Sequence, residues 1–340
     1  MRHIQLAQGL DQSEPCRLVI CEPVAGHNAA AIGGEPDLRR LGDEVADGEH
    51  EAVLADHRAI AAALGTERGG YGVVIREDGL VLTIGYLINE ASQIWLTSNR
   101  GGVVAGYRLA YDQATGFGLV QPLGKLDAPH LPRGLASEIK VGDSTFVIGH
   151  GGRAHALKTR VIGKREFAGY WEYVLDEALF TAPAHPQWGG AALVDAQGNL
   201  IGIGSLLVQQ EVKGEAIHVN MFVPIDLLNP IFDAMLQTGR SPHPPHPWLG
   251  MSTQDPEGKL VVSKLSPGGP AQRAGVQVGD MVLGVGAQRV HGLAELFRAV
   301  WRLGAAGVDV PLTLARAGDV IHLTVKSADR SDFLKKPNLH

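Results

Sequence analysis

The segment between residues 182 and 205, APAHPQWGGAALVDAQGNLIGIGS, has the pattern of a loop that presents a nucleophile. A proline and a polar pair precede two glycines, and an apolar strand, a Gln-Gly-Asn turn and a second strand follow. Such a loop would hold a hydroxyl that attacks a carbonyl carbon with the help of an imidazole base. The position of that hydroxyl is occupied by Gly189, which has no reactive atom. The sequence therefore has the frame of a hydrolytic site without its nucleophile.

Three side chains near this loop could supply other chemistry. His150 and His185 carry imidazoles that could bind a metal or act as a base, and Trp188 offers a plug or a stacking surface. In the simpler interpretation, both histidines hydrogen-bond backbone groups in tight turns. For Trp188, packing into the volume left by a lost catalytic group is an equally good explanation. No metal ligand set and no cofactor site is predicted.

Short strands with frequent turns must position this loop. From Gly69 onward, apolar and β-branched runs alternate with turn residues about every 8 to 12 residues, as in the hairpin centred on Asp78 and Gly79. Glycine provides 44 of the 340 residues, well above the roughly 7% of an average protein. So many strands without interleaved helices predict an all-β fold, a sandwich or a barrel.

Composition divides the chain into two folded domains with connecting and terminal segments. The predicted parts are a poorly ordered leader with one strand in the run RLVICEPV (1–48), a strand-rich domain that begins with a helix at 50–65 (49–240), a proline-rich linker (241–247), a compact unit (248–328) and a tail (329–340). In the compact unit, GLAELFRAVWRLG predicts an amphipathic helix with Leu293 and Phe297 on one face.

Charge and cysteine content limit the partners. The net charge of -6 offers no basic stripe, so nucleic acid is not an expected partner. No apolar run reaches the roughly 18 residues of a membrane span.

Cys16 and Cys21 would lie about 16 Å apart on one strand, too far for a disulfide, which predicts free thiols. The start of the chain has no apolar signal core, which predicts a cytoplasmic protein as written, or a periplasmic one if the true N-terminus differs.

Seven pieces of sequence, taken in order and with their spacing, resemble the HtrA/DegP family of trypsin-like proteases and its C-terminal PDZ domain. The pieces are DGLVLTIGYLINEA, YDQATGFGLV, VGDSTFVIGH, HPQWGGAALVDAQGNLIGIG, VPIDLLNPIFDAML, PWLGM and SPGGPAQRAGVQVGDMVLGV. The resemblance implies two six-stranded β-barrels over about residues 66–226, followed by a PDZ domain. It also implies serine protease chemistry in protein quality control.

The catalytic triad of that family has no counterpart at the matching positions. Tyr86 stands in place of the histidine, Gly116 in place of the aspartate, and Gly189 in place of the serine. Asp112 lies a few positions too early to serve. The resemblance assigns the oxyanion-binding backbone N–H groups to Gln187 and Gly189. Without a nucleophile, these groups could only hold an acceptor.

The PDZ-like unit predicts a peptide site. In such domains an extended peptide adds to a strand edge, and backbone N–H groups of a short loop hold its C-terminal carboxylate. The resemblance assigns this loop to Leu249, Gly250 and Met251, where glycine lets the backbone approach closely. Leu293 and Phe297 on the helix either line the peptide groove or form the small core.

Three functions remain open. The favoured one is an inactive protease homologue, a pseudoprotease, that binds peptides or unfolded polypeptides through its PDZ domain as an adaptor. The second is an active serine endopeptidase with a non-standard catalytic group, although tyrosine, with a pKa near 10, is a poor base. The third is a metal or small-molecule binder in the vacated cleft, built on His150, His185 and Tyr86. A homo-oligomer is compatible with the resemblance.

Overall fold

The computed structural model describes residues 15–21, 68–151, 155–212, 215–255 and 258–334. The predicted helix at 50–65, most of the predicted leader and the end of the tail lie outside the described residues. In the part that is described, the chain forms two closed six-stranded barrels followed by a separate sheet. The prediction of an all-β fold with a double barrel is confirmed.

The first barrel closes through a strand that lies far from the others in sequence. Its elements are β1 (Pro15–Cys21), β2 (Arg68–Val74), β3 (Val81–Ile84), α1 (Gly85–Ile88), β4 (Gln93–Thr97), β5 (Val103–Tyr111) and β6 (Phe117–Pro122). Strand β1 pairs in parallel with both β2 and β4. The single strand expected in the leader is thus part of the barrel, and the boundary predicted at residue 49 differs from the structure. Cys16 and Cys21 both lie in this extended strand.

The second barrel is built from longer strands. They are β7 (Ser144–Ile148), β8 (Leu157–Gly169), β9 (Tyr173–Ala182), β10 (Ala192–Val194), β11 (Leu200–Val212) and β12 (Glu215–Pro224). Register shifts interrupt the pairing of β8 with β9 and of β11 with β12, and such irregularities let long strands bend around a barrel. Buried side chains of both barrels form one continuous hydrophobic core, with Phe117 and Phe222 fully enclosed.

A helical segment follows the second barrel. A 3₁₀ turn (Ile225–Leu228) precedes helix α2 (Phe232–Thr238). The run IDLLNPIFDAMLQTG by itself predicts one continuous helix that ends at Gly239. Pro230 lies between the two pieces, and proline cannot donate the backbone hydrogen bond of a helix interior. The helix ends at Gly239, as predicted, because this residue has a φ of 72°.

The sheet domain after the linker carries the predicted peptide site. Its elements are β13 (Met251–Gln254), β14 (Val261–Leu265), α3 (Pro270–Arg273), β15 (Met281–Val285), β16 (Gln288–Arg289), α4 (Leu293–Trp301), β17 (Asp309–Arg316) and β18 (Asp319–Lys326). The strand order is β13-β14-β15-β17-β18, so β13 is an edge strand. Helix α4 buries its apolar face against this sheet and completes a second hydrophobic core. A 3₁₀ turn (Arg330–Phe333) begins the tail.

Candidate functional site

The three positions that the resemblance matches to a catalytic triad meet between the two barrels. Tyr86 lies in α1, Gly116 in the turn before β6, and Gly189 in the loop before β10. The backbone N–H of Gly85 donates to the carbonyl of Gly116 over 2.7 Å. A Cβ atom placed on Gly189 would lie 2.9 Å from the hydroxyl oxygen of Tyr86. Residues more than 100 positions apart in the chain therefore converge at this point.

Tyr86 fills the space in front of Gly189. Its hydroxyl donates to the backbone carbonyl of Ser205 over 2.8 Å. Part of the ring stays exposed, whereas the hydroxyl is desolvated by the surrounding protein, which raises the pKa of Tyr86 well above its ordinary value. A phenol that keeps its proton cannot take one from a nucleophile at neutral pH.

Gly116 cannot be replaced simply by a carboxylate residue. Its φ is 78°, and an added Cβ would meet the Ile84 side chain at 3.2 Å and the Tyr173 hydroxyl at 3.4 Å. That hydroxyl donates to the carbonyl of Thr115 over 2.7 Å. The carboxylate of Asp112 accepts from the backbone N–H and the hydroxyl of Thr115, at 2.8 and 2.7 Å. Asp112 therefore holds the turn and is not directed to the cleft.

One of the two predicted oxyanion donors, the N–H of Gln187, is engaged within the loop. The N–H of Gln187 donates to Nδ1 of His185 over 2.9 Å, which differs from the expectation that it faces an acceptor in the cleft. The carbonyl of Gly189 accepts from the N–H of Tyr71 over 2.8 Å and ties the loop to the first barrel. Trp188 is partly buried, and its carbonyl accepts from Ala191.

His185 and His150 both make hydrogen bonds that hold the loops of this region in place. His185 is buried, and its Nδ1 accepts from Gln187, so its Nε2 carries the proton and donates to the carbonyl of His155 over 2.7 Å. The N–H of His185 donates to the side-chain oxygen of Asn220. His150 is exposed, and its N–H donates to the side chain of Gln187 over 3.0 Å. Among the described residues, no group of three or more His, Cys, Asp and Glu side chains is placed to hold a metal ion.

The predicted carboxylate loop of the C-terminal domain binds a carboxylate, and that carboxylate belongs to the same chain. The N–H of Leu249 lies 3.2 Å from both carboxylate oxygens of Glu172, and the N–H of Gly250 lies 3.0 Å from one of them. The backbone N–H of Met251 also acts on this carboxyl and lowers its pKa. Gly250 has a φ of 71°, and a Cβ there would lie 3.0 Å from the Trp248 ring.

Glu172 is the residue of this site that the sequence did not reveal. It lies between β8 and β9 in GYWEYV, and a single acidic residue among aromatics in a turn carries no sign of a partner 77 positions away. Burial raises the pKa of the Glu172 carboxyl to about 7, although the three N–H donors and the Arg330 guanidinium favour its charged form.

Helix α4 joins the two parts of the molecule. Leu293 and Phe297 are buried in the core of the C-terminal domain, which favours the core interpretation of these two residues over an open groove wall. The same helix packs against β8 and β9. Its Arg298 forms ion pairs with Glu166 on β8 and Asp176 on β9.

Comparison with known families agrees with this architecture. Residues 70–203 match the trypsin-like peptidase domain, and residues 247–327 match the PDZ domain. A trypsin-like peptidase domain followed by a PDZ domain is the HtrA-like architecture, which this chain has.

Curated relatives match this chain at low identity. The chain is 27% identical over 283 residues to a "Probable periplasmic serine endoprotease DegP-like" of Halomonas elongata, covering 78% of this chain and 57% of that protein. It is 25% identical over 272 residues to "Serine endoprotease DegS" of Haemophilus influenzae, covering 75% and 76% of the two chains. The chain thus spans little more than half of the DegP-like relative. The word periplasmic in that relative's name gives no support to the predicted cytoplasmic location.

Two solved structures align over most of the chain with TM-scores under 0.5. "HtrA-type protease AlgW with decapeptide" matches with a TM-score of 0.49 and 21% identity, covering 78% of this chain and 82% of that one. "Crystal structure of the serine endoprotease from Yersinia pestis" matches with a TM-score of 0.46 and 23% identity, covering 76% and 88%. In the described parts of the chain, no helix has the length and apolar character needed to cross a bilayer.

Proposed function

We propose that this chain, which has the HtrA-like architecture, is a pseudoprotease that binds the C-termini of peptides or unfolded polypeptides through its PDZ domain and acts as an adaptor. The observation that carries the proposal is the contact between Tyr86 and Gly189, where a base and a nucleophile would have to meet. A tyrosine hydroxyl that donates to Ser205 occupies this place, opposite a residue without a side chain.

Catalysis by the usual route would need three groups that are missing. Glycine has no oxygen that could attack a carbonyl, and the Tyr86 hydroxyl is held in its protonated form. Loss of the serine or of its base lowers turnover on the order of a million-fold. The engaged N–H of Gln187 further weakens stabilisation of an oxyanion, which is normally a large contribution to catalysis.

Binding of a peptide terminus is supported by the C-terminal domain. Its loop from Leu249 to Met251 directs backbone N–H groups at a carboxylate, and Gly250 has the backbone conformation that this requires. Strand β13 follows the loop directly and lies at the edge of its sheet, where an extended peptide could add as a further strand.

An active endopeptidase is the second candidate, and the names of the relatives favour it. Both DegP-like and DegS relatives are named serine endoproteases. This function would require a nucleophile other than residue 189 and a base other than residue 86.

A labelling experiment separates the two candidates. The purified chain is incubated with a fluorophosphonate probe and, separately, with casein. A pseudoprotease is neither labelled nor able to cleave, and the Gly189→Ser variant stays inactive because Tyr86 cannot accept its proton. Labelling of the unmodified chain that is lost on replacing one specific serine would establish the endopeptidase instead.

A labelled decapeptide with an apolar C-terminal residue, and its C-terminal amide, test binding. A preference for the free acid is expected, with a dissociation constant of about micromolar for the accessible site. Equal binding of acid and amide would contradict the assignment of the loop.

A further inference from the structure

The carboxylate of Glu172 lies where the terminus of a peptide would bind. It accepts hydrogen bonds from the N–H groups of Leu249 and Gly250, and the N–H of Met251 also favours its charged form. These are the N–H groups that the family resemblance assigns to ligand binding. Only 7% of the surface of Glu172 is exposed to solvent.

The turn that carries Glu172 is fixed to the C-terminal domain on several sides. Ala168 on β8, Tyr170 in the turn and Val174 on β9 pack against the core of that domain. The guanidinium of Arg330 donates to the carbonyl of Trp171 over 3.2 Å. The contact is therefore an extended one that combines apolar packing with the bound carboxylate.

The docked hairpin leaves the strand-addition edge unpaired. Strand β13 pairs with β14, and neither β8 nor β9 pairs with it among the described strands. The intramolecular contact thus uses the carboxylate loop and the face of α4, and not the hydrogen-bonding edge of β13. A peptide can reach that edge, but its terminal carboxylate meets an occupied loop.

The backbone at Glu172 is unusual for its residue type. Its φ is 62°, a left-handed conformation in which glycine is the common residue. Non-glycine residues in this region persist where surrounding contacts determine them. The carboxylate bound in the loop is such a contact, and it gives a reason for glutamate at this position.

We infer that Glu172 is an internal ligand of the PDZ domain, which a peptide C-terminus must displace before it binds. The inference rests on the proposed function, because it concerns regulation of the same peptide site. The chain would therefore bind peptide tails only when the hairpin between β8 and β9 opens.

Because the peptide binds only molecules in which Glu172 has left the loop, its apparent affinity falls in proportion to the fraction of such open molecules. A tethered group acts at an effective concentration on the order of millimolar. If about one molecule in ten is open, the apparent dissociation constant rises about tenfold. The affinity of the full chain is accordingly weaker than that of a variant without the carboxylate.

The test compares four full-length proteins by fluorescence anisotropy with the labelled acid and amide decapeptides. Glu172→Gly removes the carboxylate and suits the left-handed backbone, and Glu172→Gln keeps the shape without the charge. Glu177→Gln is the matched control, because Glu177 lies on β9, is exposed and pairs with Lys164 at 3.1 Å. Circular dichroism melting verifies that each protein is folded.

We expect Glu172→Gly to bind the acid peptide about tenfold more tightly than the unmodified chain. Glu172→Gln, which is neutral like the protonated carboxyl, should bind it no more tightly than the unmodified chain, and Glu177→Gln should bind it equally. In hydrogen exchange, the segment 247–252 should exchange faster in Glu172→Gly than in the control. Equal affinity of all four proteins for the acid peptide would overturn the inference and leave the proposed function standing. If every protein bound acid and amide equally, the proposed function would fail and the inference with it.

Discussion

Replacing Gly189 with alanine tests whether Tyr86 occupies the space that a side chain at position 189 would need. The new Cβ would lie 2.9 Å from the Tyr86 hydroxyl, closer than real Cβ contacts allow, while the φ of Gly189 is not positive. Steric contact with this hydroxyl is therefore the main expected effect of the substitution.

The magnitude follows from what Tyr86 would have to give up. If the hydroxyl moves, the Ser205 carbonyl loses its 2.8 Å hydrogen bond, and an unsatisfied buried acceptor costs about 1 to 3 kcal/mol. If the Tyr86 hydroxyl stays in place, the steric overlap with the new Cβ destabilises the protein by a similar free energy. We expect Gly189→Ala to lower the free energy of unfolding by about 2 kcal/mol.

A double-mutant cycle isolates the contact. In the Tyr86→Phe background the hydroxyl is absent, and the nearest ring atom lies 3.9 Å from the new Cβ, an ordinary contact. Gly189→Ala should then change stability by less than about 0.5 kcal/mol, the usual range for unstrained sites. The pair should thus be coupled by about 2 kcal/mol.

Urea unfolding of the four proteins measures this coupling. Gly69→Ala is the matched control, because a Cβ on this exposed strand glycine meets no atom within 4 Å. If Gly189→Ala costs the same with Tyr86 and with Phe at position 86, the two residues do not share one space, and the account of the cleft is wrong.

Three further predictions concern the other positions. Restoring all three triad residues, with Tyr86→His, Gly116→Asp and Gly189→Ser, should still give no casein cleavage, because the φ of 78° at Gly116 and the nearby Tyr173 misplace the carboxylate. Gly250→Val should remove binding of the acid peptide without lowering the melting temperature of the barrels, since φ is 71° and the Trp248 ring is 3.0 Å away. Peptide affinity should rise from pH 5.5 to 8 in the unmodified chain and stay constant in Glu172→Gly. The docked Glu172 has a pKa of about 7, above its ordinary 4.5, so docking is strongest below pH 4.5 and weakens as pH rises to 7.

Each of these outcomes has a direct counterpart that would refute it. Cleavage by the triple variant would mean that the cleft still accepts a working triad. Retained binding in Gly250→Val would move the peptide site away from the loop. A pH profile that is the same with and without Glu172 would show that the Glu172 carboxyl does not cause the pH dependence.

The sequence by itself determined the elements and their order. The Asp78-Gly79 turn, the helix ended by Gly239 and the amphipathic helix with Leu293 and Phe297 were all predicted, because each depends on residues close together in the chain. The positions Tyr86, Gly116 and Gly189 also followed from motifs alone.

Only the tertiary structure decided how distant groups are paired. Pairing of β1 with β2, the hydrogen bond from Gln187 to His185, and the contact of Tyr173 with the Gly116 turn depend on where the chain folds back on itself. The hydrogen bonds between Glu172 and the loop at Gly250 join residues 78 positions apart and in different domains. Local patterns specify strands and turns, but an N–H group binds whichever acceptor packing brings within about 3 Å. That acceptor is fixed by the placement of one domain on the other, which no short stretch of sequence encodes.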